Sequence, residues 1–158
     1  MVEIERKFLC PGRPAEFADA PSERIDQGYV AISDDGVEVR VRRAGARTLL
    51  TVKQGGGLRR LEEELDIPEA TFEALWPITE DRRVEKERFR LERDGRTIEL
   101  DVYAGDLDGL VVAEVEFESE QESADFHPPA WLGREVTGDE RYANRRLAVH
   151  GIPGEERE

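Results

Sequence analysis

The chain has 158 residues, of which 38% are charged and 38% hydrophobic, and its formal net charge is −14. This balance argues against general binding to nucleic acid or to anionic membranes, because those surfaces attract proteins that carry a positive field. The single cysteine, Cys10, excludes an internal disulfide, and no signal peptide or long apolar run is present, so a soluble cytoplasmic protein is expected.

Alternation of apolar and polar residues runs through most of the chain and predicts about eight β-strands. Asp94-Gly95 predicts a tight two-residue turn between two of them. Short turns that contain Gly or Asp join most of the strands, and an antiparallel meander is the simplest topology that fits. In chain order, the strand segments are VEIERKFL, ERIDQGYVAIS, DDGVEVRVRRAG, RTLLTVKQ, LRRLEEELDIP, RRVEKERFRLER, GRTIELDVYAG and GLVVAEVEFE.

Three short segments have helical spacing: residues 68–76, 119–127 and 137–151. Pro68 suits the first turn of the first segment. In the last segment, Asp139 is expected to cap the start of a helix and Gly151 to end it. We therefore expect a mainly β (α+β) domain at residues 1–150, with helices on its apolar face, and a flexible acidic tail at 151–158.

The polar face of the predicted strands consists almost entirely of charged side chains. One solvated face is normal for an antiparallel sheet, so any single strand needs no further explanation. The whole set is harder to explain in this way, because solvated faces usually also contain Ser, Thr, Asn and Gln. The charged-face residues are Glu3, Glu5, Lys7, Arg40, Arg42, Lys53, Arg60, Glu62, Glu64, Lys86, Arg88, Asp101, Glu114 and Glu116.

Eight antiparallel strands can close into a barrel whose interior holds side chains or one small ligand. If the charged face points inward, the lumen must stay wet or hold a charged ligand, since unpaired buried charges are costly. Carboxylates beside Lys and Arg suit a polyanion together with a divalent cation that bridges its phosphate oxygens. We expect a closed eight-stranded antiparallel tunnel with a charged lumen that binds a small polyanion.

Short motifs in a fixed order resemble the CYTH family, also called triphosphate tunnel metalloenzymes. EIERKFL carries a Glu-x-Glu-x-Lys signature, and VRVRR resembles an Arg-x-Arg strand. LTVKQ resembles the Lys strand, RRLEEEL the Arg-x-Glu-x-Glu strand and VEKERFRL the Lys-x-Arg strand. IELDVYAGDLDGLVVAEVEFES resembles the strand Asp followed by Glu-x-Glu, and PPAWLGREVTGDERYANRRLA the C-terminal segment. Together these matches cover nearly all of residues 1–150.

The resemblance implies a tunnel that binds a triphosphate and needs Mg²⁺ or Mn²⁺, and it assigns roles to residues. The implied metal ligands are Glu3, Glu5, Asp101, Glu114 and Glu116. The implied substrate-binding residues are Lys7, Arg40, Arg42, Lys53, Arg60, Lys86 and Arg88, with Glu62 and Glu64 lining the tunnel. Candidate catalytic residues are Lys7, Tyr29 and Lys86.

Tyr29 matches a family tyrosine that has been put forward as a proton acceptor. A phenol whose pKa lies near 10 is a poor base at neutral pH, so a lysine or a metal would have to lower that pKa. A half-buried strand aromatic is the alternative interpretation.

Hydrolysis of inorganic triphosphate to pyrophosphate and orthophosphate is the predicted reaction. The short chain shows no obvious pocket for a base or a thiazolium, and it lacks the His-Phe pair of cyclase members before Glu3. The alternatives are a thiamine- or nucleoside-triphosphatase, an adenylate cyclase, a polyphosphate-binding module without turnover, and a lipocalin-like carrier with an apolar lumen. Either a monomer or a homodimer is compatible with the sequence.

Overall fold

The computed structural model describes residues 4–54 and 61–154. Its strands are β1 Ile4–Leu9, β2 Ser22–Ile32, β3 Val37–Ala44, β4 Arg47–Gln54, β5 Leu61–Asp66, β6 Arg83–Arg93, β7 Arg96–Ala104 and β8 Val111–Phe117. The helices are α1 Glu69–Leu75, α2 Glu120–Asp125 and α3 Asn144–His150, and 3₁₀ turns occupy Ala15–Phe17, Trp76–Thr79, Gly105–Leu107 and Glu140–Tyr142. Glu3, Arg60 and the tail residues 155–158 lie outside the described ranges.

The strands form one sheet in the order β1-β8-β7-β6-β2-β3-β4-β5, with every pair antiparallel. The prediction of eight antiparallel strands is confirmed. The simple meander is wrong, because β1 pairs with β8 and β2 pairs with β6. In the described part of the chain the sheet ends at β1 and β5, and no ladder joins these two strands.

The connection between β5 and β6 explains why a simple meander does not form. Helix α1 and the turn Trp76–Thr79 lead the chain from β5 back to β2, where β6 begins its pairing. Gly28 in β2 allows this close passage, since a Cβ atom at that position would lie 2.3 Å from Thr79 Oγ1. The crossing therefore depends on the absence of a side chain at residue 28.

The predicted turn at Asp94-Gly95 is present. Both residues have positive φ angles, 55° for Asp94 and 75° for Gly95, and Arg93 pairs directly with Arg96 across the hairpin. These angles suit the right-handed twist of the two strands, which is why Asn-Gly and Asp-Gly pairs predict such turns well.

The apolar face of the sheet is buried in its central part, as predicted. A cluster that includes Phe8, Leu100 and Val115 packs under Phe17 and Leu132, two residues from the connecting segments. Strand β5 differs, because Leu61 and Leu65 are 52% and 56% exposed. This strand lies at one end of the sheet, so nothing in the described residues covers its apolar side.

The C-terminal segment forms two short pieces instead of the single predicted helix. The Asp139 carboxylate accepts a hydrogen bond from the Arg141 backbone N–H and begins the 3₁₀ turn Glu140–Tyr142. Ala143 is then extended, with a ψ of 140°, and α3 follows and ends at Gly151, as predicted. This break lets both Tyr142 and Leu147 enter a second apolar cluster with Tyr103.

Among the helices of residues 4–54 and 61–154, none has the length and apolar character needed to cross a bilayer.

Candidate active site

Strand register places the charged residues on one face of the sheet. Residues directly opposite each other in neighbouring strands share a face. Such pairs run across the sheet: Lys7 with Glu114, Arg88 with Asp101, Tyr29 with Arg40, and Lys53 with Glu62. The predicted residues brought together on this charged face are Glu5, Lys7, Tyr29, Arg40, Arg42, Lys53, Glu62, Glu64, Lys86, Arg88, Asp101, Glu114 and Glu116.

The charged face also contains residues that the sequence reasoning missed. Gln27 and Thr51 are buried neutral residues on it, opposite Arg42 and Glu64 respectively. Glu99 lies opposite Glu114 and is buried as well. Glu99 could have been predicted, because it alternates with Asp101 along β7. Gln27 could not, because it is neutral and belongs to no pattern of charged residues.

Lys86, Arg88 and Asp101 form a buried ionic cluster in the middle of this face. Lys86 Nζ donates to Asp101 Oδ2 at 2.8 Å. Arg88 Nε donates to Asp101 Oδ1 at 2.8 Å, and its Nη2 donates to Oδ2 at 3.0 Å. Both carboxylate oxygens of Asp101 are therefore engaged by cations, which makes it a counter-ion in this arrangement.

The charge states of this cluster follow from its burial. Burial lowers the pKa of Lys86 below its ordinary value, although the neighbouring Asp101 charge opposes this change. Burial alone would raise the pKa of Asp101, but the Lys86 charge and the Arg88 hydrogen bonds outweigh it and lower that pKa to about 2. Asp101 is therefore ionised at neutral pH and holds both cations in place.

Arg40 and Arg42 lack the carboxylate partners that Lys86 and Arg88 have. Within the described residues neither guanidinium forms an ion pair, and the buried Nε of Arg40 has no hydrogen-bond partner. Burial, followed by repulsion from Arg40 and Arg88, lowers the pKa of Arg42. Arg40 and Arg42 therefore carry positive charge that no direct ion pair neutralises within the described residues, although Glu64 acts on Arg42 from a greater distance.

A cavity of about 670 Å³ opens beside these arginines. Its lining brings together Tyr29, Arg40, Lys53 and Glu62 from four different strands. Arg145, from helix α3, also contributes to the wall. The volume falls in the range of small-molecule sites. The wall offers cations for an anionic ligand and also carboxylates, namely Asp34, Asp35, Glu38, Glu62 and Glu140, so acids and bases are mixed there.

A second group of acids lies where β1 meets β8. Glu5 is directly opposite Glu116, and Lys7 Nζ lies 3.8 Å from Glu114 Oε1. Lys7 Nζ also donates to the Tyr142 backbone carbonyl at 3.5 Å. In the described part of the chain no three acidic, histidine or cysteine side chains converge closely enough to hold a metal, and Glu3 lies outside that part.

Tyr29 is buried, and its hydroxyl accepts a hydrogen bond from Gln27 Nε2 at 2.8 Å. Burial raises the pKa of this phenol above its ordinary value, although the Arg40 charge opposes the change. A proton acceptor at neutral pH needs a pKa close to neutrality. The surroundings of Tyr29 shift its pKa in the opposite direction.

An antiparallel eight-stranded sheet that interleaves acids and bases on one face, with Lys86, Glu99 and Asp101 buried among them, has the charge arrangement of a protein that holds a small polyanion. The chain belongs to the CYTH domain family, whose sequence pattern matches residues 1–145. The resemblance inferred from the short motifs is confirmed. Membership in this family, the triphosphate tunnel metalloenzymes, implies that the protein uses a divalent metal ion.

Two curated relatives cover almost the whole chain. An inorganic triphosphatase of Nitrosomonas europaea is 47% identical over 152 residues, covering 94% of this chain and 98% of the relative. An inorganic triphosphatase of Acetivibrio thermocellus is 42% identical over 148 residues, covering 92% of each chain.

Solved structures agree with this family assignment. A crystal structure of the inorganic triphosphatase NE1496 is 43% identical, covers 98% of both chains and superposes with a TM-score of 0.83. The PH1012 protein of Pyrococcus horikoshii is 18% identical and superposes with a TM-score of 0.52, which supports the fold alone.

Proposed function

We propose that the protein is a divalent-metal-dependent inorganic triphosphatase that hydrolyses triphosphate to pyrophosphate and orthophosphate. The observation that carries the proposal is the pair of arginines, Arg40 and Arg42, which form no ion pair within the described residues and of which Arg40 lines the cavity. The activity named for the relatives from Nitrosomonas europaea and Acetivibrio thermocellus supports it independently. A cytoplasmic location, expected from the sequence, is part of the same proposal.

The cationic residues would bind the substrate through its non-bridging phosphate oxygens. Arginine suits this task because its planar guanidinium donates two parallel hydrogen bonds to a phosphate group. Arg40 and Lys53 reach the cavity directly, and Arg42 lies beside Arg40 on β3. Lys7 and Arg88 continue the row of cations toward β1 and β8, and Lys86 lies buried beneath them.

The acids at β1 and β8 have the chemistry of a site for a hard divalent cation. Glu5 and Glu116 are cross-strand partners, and Glu114 follows on the same face, so all the donors are carboxylate oxygens. These carboxylates do not converge on one point within the described residues, so they would supply only part of the coordination of Mg²⁺ or Mn²⁺, and either ion would neutralise phosphate charge and polarise the phosphorus-oxygen bonds when bound. Asp101 would instead act through Lys86 and Arg88, since its oxygens are already engaged.

Phosphoryl transfer proceeds through a loose transition state, so positioning and charge stabilisation supply most of the catalysis. Lys86 is suited to this task because it is fully buried and held at 2.8 Å by Asp101. An ammonium fixed in this way stabilises negative charge on the phosphate without moving during the reaction. Lys7 would do the same beside Glu114.

A phosphate-release assay over triphosphate, pyrophosphate, ATP and thiamine triphosphate, with Mg²⁺, Mn²⁺ or chelator, tests the proposal. We expect metal-dependent release from triphosphate and far less from the other three compounds. Arg40→Gln should lower kcat/KM for triphosphate by about 10- to 100-fold, since it removes charged hydrogen bonds. The matched control is Arg24→Gln, because Arg24 is exposed and pairs with Asp26 and Glu85 on the opposite face of the sheet. Binding of triphosphate without release would identify a binding module.

A further inference from the structure

Gln27 lies in the middle of the charged face and is completely buried. Its Oε1 accepts a hydrogen bond from Arg42 Nε at 2.7 Å, and its Nε2 donates to the Tyr29 hydroxyl at 2.8 Å. The register of β2 and β3 places Gln27 directly opposite Arg42 and Tyr29 directly opposite Arg40. One neutral amide thus connects two side chains of the charged face, of which Tyr29 lines the cavity.

The chemistry of its partners fixes the direction of both hydrogen bonds. A guanidinium can only donate, so the amide atom that faces Arg42 has to be the oxygen. The amide NH₂ group then faces Tyr29, whose oxygen has to accept. The opposite orientation of the amide would place two donors 2.7 Å apart, at the distance between Gln27 and Arg42.

The orientation of Gln27 determines what Tyr29 can do. Its oxygen accepts from Gln27, and the charge and hydrogen bonding of Arg40 also act on it. Its O–H hydrogen donates to no other side chain or carbonyl in residues 4–54 and 61–154. Tyr29 contributes to the cavity wall although it is only 1% exposed, and this hydrogen is the one donor its side chain has for an anion bound there.

We propose that Gln27 is a positioning residue that holds Arg42 and directs the Tyr29 hydroxyl hydrogen toward the phosphate oxygens of the substrate. This inference rests on the proposed triphosphatase function. Tyr29 is then a hydrogen-bond donor that stabilises negative charge on the substrate, in place of the proton acceptor that the family resemblance suggested. Loss of Gln27 weakens two substrate contacts at once, because it acts through both partners.

A double-mutant cycle tests the coupling between the two residues. We expect Gln27→Met and Tyr29→Phe each to lower kcat/KM for triphosphate by about 10- to 100-fold, as removal of a hydrogen bond to a charged group does. The double variant should lose less than the product of the two single losses, since Gln27 acts partly through the Tyr29 hydroxyl. Fully multiplicative losses would overturn the inference.

The matched control is Thr48→Val. Thr48 is also buried and neutral, and its Oγ1 donates to the Ile67 carbonyl at 2.6 Å, but its side chain lies on the opposite face of β4. This variant loses one buried hydrogen bond without touching the cavity. We expect its kcat/KM to stay within about twofold of the wild type, because additivity holds for sites that share no partners.

The pH profile separates a donor from a base. If Tyr29 donates, the ratio of wild-type to Tyr29→Phe kcat/KM should stay constant from about pH 6 to about pH 9. If Tyr29 instead accepts a proton, the wild-type kcat/KM should rise with pH as the phenol ionises, and Tyr29→Phe should lack that rise. Loss of such a rise would contradict the proposed direction of the hydrogen bond.

A near-isosteric variant keeps the test decisive if Gln27→Met fails to fold. Gln27→Glu still offers Arg42 an acceptor, but its carboxylate can only accept, so the Tyr29 hydroxyl must turn toward it and away from the cavity. We expect a fold near that of the wild type by circular dichroism and a kcat/KM at least about tenfold lower. Wild-type kcat/KM in Gln27→Glu would overturn the inference.

Calorimetric binding of triphosphate in the presence of chelator gives a readout that does not need turnover. Tyr29→Phe and Gln27→Met should both bind more weakly than the wild type, by about tenfold, whereas Thr48→Val should bind equally well. A wild-type protein that binds triphosphate but releases no phosphate would contradict the proposed function and leave this comparison intact. An active wild type whose variants bind normally would contradict the role of Gln27 alone.

Discussion

The residues of the charged face differ in whether their charges are compensated. Lys86 and Arg88 share the buried carboxylate of Asp101, whereas Arg40 and Arg42 have no acidic partner in the described residues. A buried ion pair contributes little net stability, but removal of one member leaves an uncompensated charge at high cost. Asp101 therefore holds both of these proposed substrate-binding cations, with Glu99 as a second and more distant partner of Arg88.

Asp101→Asn should cost about 3–5 kcal/mol of unfolding free energy, because Lys86 then remains fully buried without a counter-ion and Arg88 keeps only its 3.6 Å contact with Glu99. We expect kcat/KM to fall by about 100-fold or more as both cations lose their fixed positions. Chemical denaturation and triphosphate turnover measure the two effects. Asp66→Asn is the control, since Asp66 forms an exposed pair with Arg47 and its loss should change stability by about 0.5 kcal/mol or less.

The decrease of the unfolding free energy at low pH should depend on Asp101. Its pKa is lowered to about 2 in the folded protein, below the unfolded value of about 3.9, so its contribution is present above pH 4 and is lost as the pH falls toward 2. The contribution amounts to about 2–3 kcal/mol. Unfolding free energies measured between neutral pH and pH 2 should fall more steeply for the wild type than for Asp101→Asn, and parallel curves would contradict this assignment.

At the scale of elements, the crossing from β5 to β6 decides how the strands are arranged. The alternation of residues predicted the strands and the face on which each side chain lies, because those properties are local to a strand. Alternation does not say which strands pair, and β1 and β8 are far apart in the sequence. The pairing of β2 with β6 depends on how α1 and Trp76–Thr79 pass Gly28, which only the packed structure shows.

Gly28→Ala should therefore destabilise the protein by about 1–3 kcal/mol, since the added methyl group would overlap Thr79 and force β2 away from the crossing. Gly12→Ala is the matched control, because no atom lies within 4 Å of a Cβ placed at that residue. Thermal unfolding of both variants provides the measurement. Equal melting temperatures would show that the crossing tolerates a side chain at residue 28.

At the scale of the whole molecule, apolar packing on both faces of the sheet holds the charged face in place. One cluster around Leu100 and Val115 lies on the outer face, and another around Tyr103, Tyr142 and Leu147 closes one end of the charged face. The sequence predicted which acids and bases share one face of the sheet, because their spacing follows the strand period. It did not predict the role of Asp101 or Gln27, since those roles depend on which strands are neighbours.

Metal removal should therefore separate activity from folding. Chelator should abolish phosphate release, because the acids of β1 and β8 would no longer carry a cation to the substrate. The melting temperature should fall only slightly, because the protein loses only the stabilisation that metal binding gives to the folded state. The apolar clusters remain intact without the metal. Phosphate release and differential scanning fluorimetry on the same samples measure both, and cooperative unfolding at room temperature on chelation would contradict this expectation.

The exposed strand β5 ends the sheet with hydrogen-bonding groups that another polypeptide could pair with, and Leu61 and Leu65 add an apolar side. Its other residues are all acidic, with Glu62, Glu63 and Glu64 in succession and Asp66 at the end. Two copies brought edge to edge would set these like charges against each other, and charged edge strands resist such addition. The acidic strand thus protects the protein from aggregation at the one edge where its leucines are open to solvent.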